Sequence, residues 1–309
     1  MRSDSKSRLL QTRHAVQRAL LCVAAFALAA CSTGMRLGYN NADTLLLYSL
    51  NNYVSLTSEQ ELLVKERAGA LVGWHRSTQL RDYASLVEQA RGKLAGPVES
   101  QDVLAFNEAI NARMTAIGER AAPDVAKLAL TLTPEQIQKL QRRFADDAAK
   151  AQREASREKT AATGNGSPDE RARKYIERTE YWFGSVTPAQ RAMLREELQR
   201  RPDGNAGWRG ERERRQQELL RVLRRIQDER PDEATATVWV RHYFAQLREP
   251  PDPERRRALA ALRTANAELI AQLVNSATPE QRATLSQRLA TFAEDFTALA
   301  AGRSGLAPG

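Results

Sequence analysis

Catalysis near neutral pH needs a titratable or nucleophilic side chain held close to a second one, and this 309-residue chain offers few of either. Its histidines are His14, His75 and His242, and its cysteines are Cys22 and Cys31. His75 and His242 stand more than 160 positions apart, and neither belongs to a His-Glu-x-x-His pair. A glycine-rich phosphate loop and a Gly-x-Ser-x-Gly elbow are both missing from the sequence. Paired acids such as Asp146-Asp147 and Glu196-Glu197 are adjacent on a helix and point in different directions, although two distant carboxylates could still serve a glycosidase. The thiol with a distinctive setting is Cys31. It closes an apolar run from Ala19 to Ala30 that follows Arg2, Lys6, Arg8, Arg13 and Arg18, with Asp4 as the one acid.

Twelve apolar residues fall short of the ~20 needed to span a bilayer and suit the core of a signal peptide. Leu28-Ala29-Ala30-Cys31 resembles a bacterial lipoprotein cleavage box. The resemblance implies that residues 1–30 are removed and that Cys31 becomes the lipidated first residue; a buried N-terminal helix is the alternative. Ser32 stands where an Asp retains such proteins at the inner membrane, which implies an outer-membrane, lipid-anchored protein on the periplasmic face. Several acyl chains, at ~0.8 kcal/mol per buried methylene, make such an anchor stable.

The chain carries 47 basic and 38 acidic residues; removing 1–30 takes away five and one, leaving 42 and 37. This mildly basic balance, at an exported address, argues against a nucleic-acid partner and leaves anionic headgroups or an acidic polypeptide. With Cys22 in the signal and Cys31 lipidated, no disulfide forms, so packing alone must stabilise the body. No cofactor and no metal site is expected.

The elements that position everything else announce themselves as helix starts. Four cassettes recur: Leu56-Thr57-Ser58-Glu59-Gln60, Leu132-Thr133-Pro134-Glu135-Gln136, Val186-Thr187-Pro188-Ala189-Gln190 and Ala277-Thr278-Pro279-Glu280-Gln281. Thr suits the N-cap, Pro the first helical position, and Gln three residues on can close a capping box. Four residues past each Gln come Val64, Leu140, Leu194 and Leu285, an apolar contact at one level of each new helix. The Leu-Thr-x-x-Gln lettering is similar to that of small all-helical periplasmic stress proteins of the Spy and CpxP kind, which implies chaperone-like or regulatory protein binding. Capping alone also accounts for the letters.

Leu63, Val64, Ala68, Leu71 and Trp74 form one helical stripe; His75 lies on the same side and Arg76 points away from it. Trp74, His75 and Arg76 are candidate partner-binding residues, with core packing as the plainer account of His75. From Arg36 to about Gln89 the chain resembles a family of Gram-negative helical lipoproteins without a known activity. Tyr39-Asn40-Asn41-Ala42-Asp43, the first cassette, Trp74-His75-Arg76 and Leu80 to Tyr83 carry that resemblance. The family has Pro where this chain has Arg81, so a helix is expected to continue there. Two further aromatic clusters, Tyr181 with Trp182, and Trp239 with His242 and Tyr243, are candidates either for core packing or for a peptide groove. Arg209 to Arg215, with Glu211 and Glu213 among them, reads as a solvated helix face or as an arginine-rich docking surface for an acidic partner.

Apolar residues follow a 3.6-residue period almost throughout and no period-two run occurs, so the expected fold is all-α: about ten amphipathic helices in one or two antiparallel bundles. Asp43 is expected to cap a helix over 44–52, Ser100 another, and Pro123 to end or kink the latter. The expected organisation is a signal peptide over 1–30, an anchor and short linker over 31–43, helical regions over 44–162 and 169–301, a linker or hairpin tip at 163–168, and a loose tail over 302–309. The function expected is that of a noncatalytic envelope lipoprotein that binds proteins or peptides in the periplasm, chaperone-like or as an adaptor. A peptidoglycan-acting envelope hydrolase and a structural subunit of an envelope assembly are the alternatives, and the oligomeric state is open.

Overall fold

The computed structural model describes residues 34–160, 168–200 and 204–302. The expected signal peptide, Cys31, all of the expected linker but its last residue, and the tail beyond 302 lie outside the described residues. Among the described residues the chain is all-α, with no strand. A helical segment over 34–40 leads into eleven helices: α1 (Ala42–Val54), α2 (Ser58–Thr78), α3 (Leu80–Lys93), α4 (Ser100–Thr131), α5 (Pro134–Thr160), α6 (Pro168–Phe183), α7 (Pro188–Gln199), α8 (Gly204–Glu229), α9 (Glu233–Arg248), α10 (Pro253–Asn275) and α11 (Pro279–Ala300).

Three local expectations need correction. Asp43 lies inside the first turn of α1, whose N-cap position, Asn41, makes no side-chain cap bond. Before α4 the cap is Glu99, boxed with Asp102, because Ser100 is already helical. Pro123 does not end α4, which runs on to Thr131. A proline inside a helix costs ~3 kcal/mol, and burial on both sides of it offsets that cost: Ala122 and Ala126 are wholly enclosed.

Two main cores follow from which faces are apolar. In the first, Ala122, Ala126 and Ala129 of α4 are small enough for α9 to lie close, with Ala236 and Val240 against them; Val54, Ile137, Leu140 and Ile226 fill the remainder from α1, α5 and α8. The second gathers Ile176 and Phe183 of α6, Leu194 of α7, Leu273 of α10 and Leu285 of α11, together with Leu94 and Val98 from the α3–α4 loop. A smaller seam joins α3 to α11 through Leu80, Tyr83, Phe296 and Leu299. Fully burying side chains such as Leu80, Leu194, Ile226 and Leu299 contributes ~2 kcal/mol each. Both main cores draw on helices from either side of 163–168, so that stretch does not divide two sub-bundles. Asn275 adds a polar clip: its amide accepts from Val98 N and donates to Val98 O, both at 2.9 Å, pinning the loop to the end of α10.

Candidate binding surfaces and the glutamine clasps

The four cassettes act first as caps. Thr57, Thr187 and Thr278 each close a full capping box with Gln60, Gln190 and Gln281. Thr133 and Gln136 exchange the same two bonds at 2.9 and 3.3 Å. The capping account leaves each glutamine's N–H groups unused, and these join the cassettes in pairs. Gln60 Nε2 donates to Gln136 Oε1 at 3.1 Å and Gln136 Nε2 donates back at 2.6 Å; Gln190 and Gln281 repeat the exchange at 3.0 Å both ways. Each amide also reaches the carbonyl two residues before its partner's threonine: Thr131 for Gln60, Ser55 for Gln136, Ser276 for Gln190 and Ser185 for Gln281. All four glutamines are buried, as are Val64, Leu140, Leu194 and Leu285 beyond them. A Ser or Thr occupies the position two before the threonine in every cassette, a regularity the sequence carried and capping logic did not use.

Trp74, His75 and Arg76 do not face solvent as a ready surface. Tyr39, from the 34–40 segment, sits 2.8 Å from His75 Nδ1, and Tyr83 Oη sits 3.2 Å from Nε2. With both ring nitrogens taken by hydroxyls, a neutral imidazole has one donor and one acceptor in use, and burial holds its pKa below 6.5. Trp74 packs edge-on to the imidazole at 6.4 Å. Arg76 points inward, against expectation: it donates to Leu299 O at 3.1 Å and Asn40 Oδ1 at 2.9 Å, and lies 5.0 Å from the Tyr39 ring centre. Arg36 donates to the buried Asp295 at 2.7 Å. The cluster thus latches the start of the described chain onto α2 and α11.

Tyr181 and Trp182 join α6 to α11. Trp182 stacks on Phe292 at 5.4 Å, and Arg288 lies 4.3 Å from the centre of the half-exposed Tyr181 ring. In the third cluster the residues part company. Trp239 is covered by the Arg225 guanidinium at 3.7 Å, and His242 is exposed beside Gln246. Tyr243 turns inward to donate to Arg215 O at 3.3 Å, its phenol pushed up to about 12 by burial.

Tyr243 reaches a cavity, together with Arg214 and Arg215 of the arginine run. This space, about 340 Å³, is walled by Arg214, Arg215, Glu218 and Arg221 of α8, Tyr243, Gln246 and Leu247 of α9, Pro251 and Asp252 of the turn, and Arg255 of α10. Glu211 lies buried beside it and fixes two of the arginines: Arg215 Nε donates to one carboxylate oxygen at 2.7 Å, Arg255 Nη2 donates to the other, and Arg214 stands 3.8 Å away. Burial pushes the Glu211 carboxyl up, but the Arg255 and Arg215 bonds outweigh it and hold it below the usual range. Arg255 Nε is enclosed without a protein acceptor. The sequence reading missed Glu211 as the organiser, although its spacing of four from Arg215 was a usable signal.

Among the described residues no three His, Cys, Asp or Glu side chains gather as a metal site, and no helix is long and apolar enough to cross a membrane. No curated protein and no solved structure matches the chain. The sequence profile of DUF6279, a family of unknown function, does match, over residues 52–238. That span takes in both cassettes of the first clasp, the first of the second, and the α8 wall of the cavity, and the chain belongs to this family.

Proposed function

We propose that the protein is a noncatalytic envelope lipoprotein, held through Cys31 on the periplasmic face of the outer membrane, that binds an acidic protein or peptide partner. The arginine-lined cavity carries this reading. Arg214, Arg215, Arg221 and Arg255 face one space, and the guanidinium fork suits a carboxylate better than any other side chain does. The two acids in its wall are already committed, Glu218 to Arg221 and Asp252 to capping α10. A glycosidase needs a carboxyl held protonated beside a second carboxylate. Glu211 is held ionised under arginines instead, so the cavity gives the hydrolase reading no support. The Leu-Thr-x-x-Gln likeness to Spy and CpxP agrees with protein binding, with the cassettes serving as scaffold rather than as contact surface.

The test is titration of the detergent-solubilised mature protein into a fluorescein-labelled oligoglutamate peptide, beside an uncharged control peptide. Saturable binding that weakens with salt, and that drops about tenfold or more in an Arg214→Glu/Arg221→Glu variant of unchanged circular dichroism, supports the proposal. Equal affinity for both peptides, or for both proteins, overturns it.

A further inference from the structure

We infer that the outward face of α1 lies in the headgroup region of the bilayer that carries the Cys31 lipid, so that the body is seated on the membrane and not merely tethered to it. The inference rests on the anchoring part of the proposed function and adds the surface that meets the lipid.

Helix α1, Ala-Asp-Thr-Leu-Leu-Leu-Tyr-Ser-Leu-Asn-Asn-Tyr-Val, has one charged residue, Asp43. Its inner side, with Tyr53 and Val54, packs into the first core. Its outer side should then be charged, as exposed helix faces are, yet Thr44, Leu45, Leu46, Tyr48, Ser49 and Asn52 present no charge at all. Leu45, Leu46 and Tyr48 are 55%, 41% and 68% exposed, and Leu37 just before them is 55% exposed. Five of the ten large apolar side chains exposed among the described residues fall between Leu37 and Leu62. A helix that is apolar on both sides is one that is covered on both sides. The described residues cover only one.

Distance names the other cover. Two residues, Ser32 and Thr33, separate Cys31 from Gly34, three steps or at most ~10 Å of chain, and the helical segment over 34–40 adds roughly 10 Å more. That segment cannot act as a slack leash, because Arg36, Tyr39 and Asn40 are each fastened to α2 or α11. A lipid on Cys31 therefore brings α1 to within ~20 Å of the acyl chains, about the reach of the interfacial zone. The residue types fit that zone: leucines to dip toward the acyl boundary, tyrosine and small polar residues for the headgroup level. At the C-terminal end of α1, Lys139 sits against Ser55, placing a cation where anionic headgroups would lie.

The mature chain has no cysteine other than Cys31, so a single label reports cleanly. The experiment places a nitroxide at Ser49→Cys, and separately at the exposed Glu229→Cys, in full-length protein purified from membranes and reconstituted into phosphatidylethanolamine–phosphatidylglycerol vesicles. Power saturation then compares access by oxygen and by a water-soluble nickel chelate, and mass spectrometry of the N-terminal peptide records the state of Cys31. The expected result is a lipidated Cys31 with the label at 49 open to oxygen and shielded from nickel, while the label at 229 stays open to nickel. A lipidated Cys31 with the label at 49 open to nickel overturns the seating and leaves the anchor intact. Shielding at 49 from both reagents means a protein partner covers α1 and also overturns the seating. An unlipidated Cys31 overturns the anchor and the seating together.

Discussion

Gln60 and Gln136, 76 positions apart in the chain, hold one another by two amide hydrogen bonds while each caps its own helix. One side chain therefore does three things: it satisfies an orphan N–H at a helix start, it fixes the start of a second helix beside the first, and it ties down the loop carbonyl ahead of that second helix. Gln190 and Gln281 do the same in the second core. Each clasp sets two helix N-termini side by side, so the cassettes determine how helices meet as well as where they begin. That explains why glutamine cannot be exchanged for glutamate at these positions on capping grounds alone. A carboxylate accepts the cap bond but cannot donate to its partner.

Replacing Gln190 by Ala should be among the more damaging single substitutions at any helix start. It strands Thr187 N, Ser276 O and the Gln281 amide in a buried place, at ~1–3 kcal/mol for each unsatisfied group, so a loss of about 3 kcal/mol is expected in urea unfolding. Thr187→Ala, which removes one cap bond, should cost about 1 kcal/mol. The double change Gln190→Ala/Gln281→Ala should cost less than the sum of the singles by roughly 1–2 kcal/mol, as expected for residues in contact. Strict additivity would mean that the clasp is geometric coincidence.

Glycine-to-alanine changes should take opposite signs at two sites. Gly184, just after α6, has φ +78°, its N–H closes on Glu180 O at 2.7 Å, and a Cβ there would meet Thr284 Cγ2 at 3.3 Å. Alanine should cost roughly 1–2 kcal/mol at that left-handed position. Gly118 lies inside α4, and a Cβ there would touch Phe244 at an ordinary 3.4 Å, so alanine should gain up to ~1 kcal/mol of helix propensity. Thermal melts of the two variants decide it, and a shift in the same direction for both would refute the distinction.

The sequence made the all-α class legible because the helix starts and the apolar period agree at each cassette. Its failures have a common cause. Asp43, Ser100 and Pro123 were judged by local propensity, and at each a neighbour decided otherwise: the 34–40 segment runs almost straight into α1, Glu99 takes the cap, and buried alanines hold α4 past its proline. The pairing of cassettes was illegible because it joins residues 76 and 91 positions apart at unequal spacing. Arg76 was misread since a helical wheel knows nothing of Tyr39 or Leu299, which arrive from the two ends of the chain. The arginine run is solvated at Arg212, Glu213 and Arg214, as one reading had it, and the buried Glu211 among them was missed because nothing local says that Arg255, 44 positions on, shares it.

The latch on His75 should loosen in acid. Burial holds the imidazole below its ordinary 6.5, with the Arg76 guanidinium nearby and Tyr39 and Tyr83 on its two nitrogens. A group with a lowered folded pKa contributes stability that is present above the unfolded value and lost as pH falls through the folded one. Amide-exchange protection of residues 34–40 should therefore fall as pH drops below about 6.5, after correction for intrinsic rates, while that of α9 stays level. A His75→Gln variant should show weaker protection at neutral pH and little further change. Protection independent of pH in the wild type would show that the imidazole does not couple to the docking of this segment.

Glu211 should lose its contribution in the same sense, as pH falls, but in a lower range, and its loss should be felt through the arginines it holds. Its carboxyl is kept below the usual 4.5 by Arg255 and Arg215 against the pull of burial, so its contribution is present above about pH 4.5 and disappears as pH falls through the lower folded value. Glu211→Gln keeps the shape and removes the charge, leaving Arg255, 15% exposed, and Arg215 without a counter-ion; a loss of roughly 3 kcal/mol is expected at neutral pH. The difference between wild type and variant should narrow as the pH is lowered from about 5 toward 3, since protonation does to the wild type what the substitution has already done. Urea midpoints across that range measure it. The same variant should also distort the proposed anion site, because Arg215 and Arg255 lose the group that aims them. Weaker oligoglutamate binding from a variant that has gained a positive charge would separate orientation from simple attraction, which predicts tighter binding.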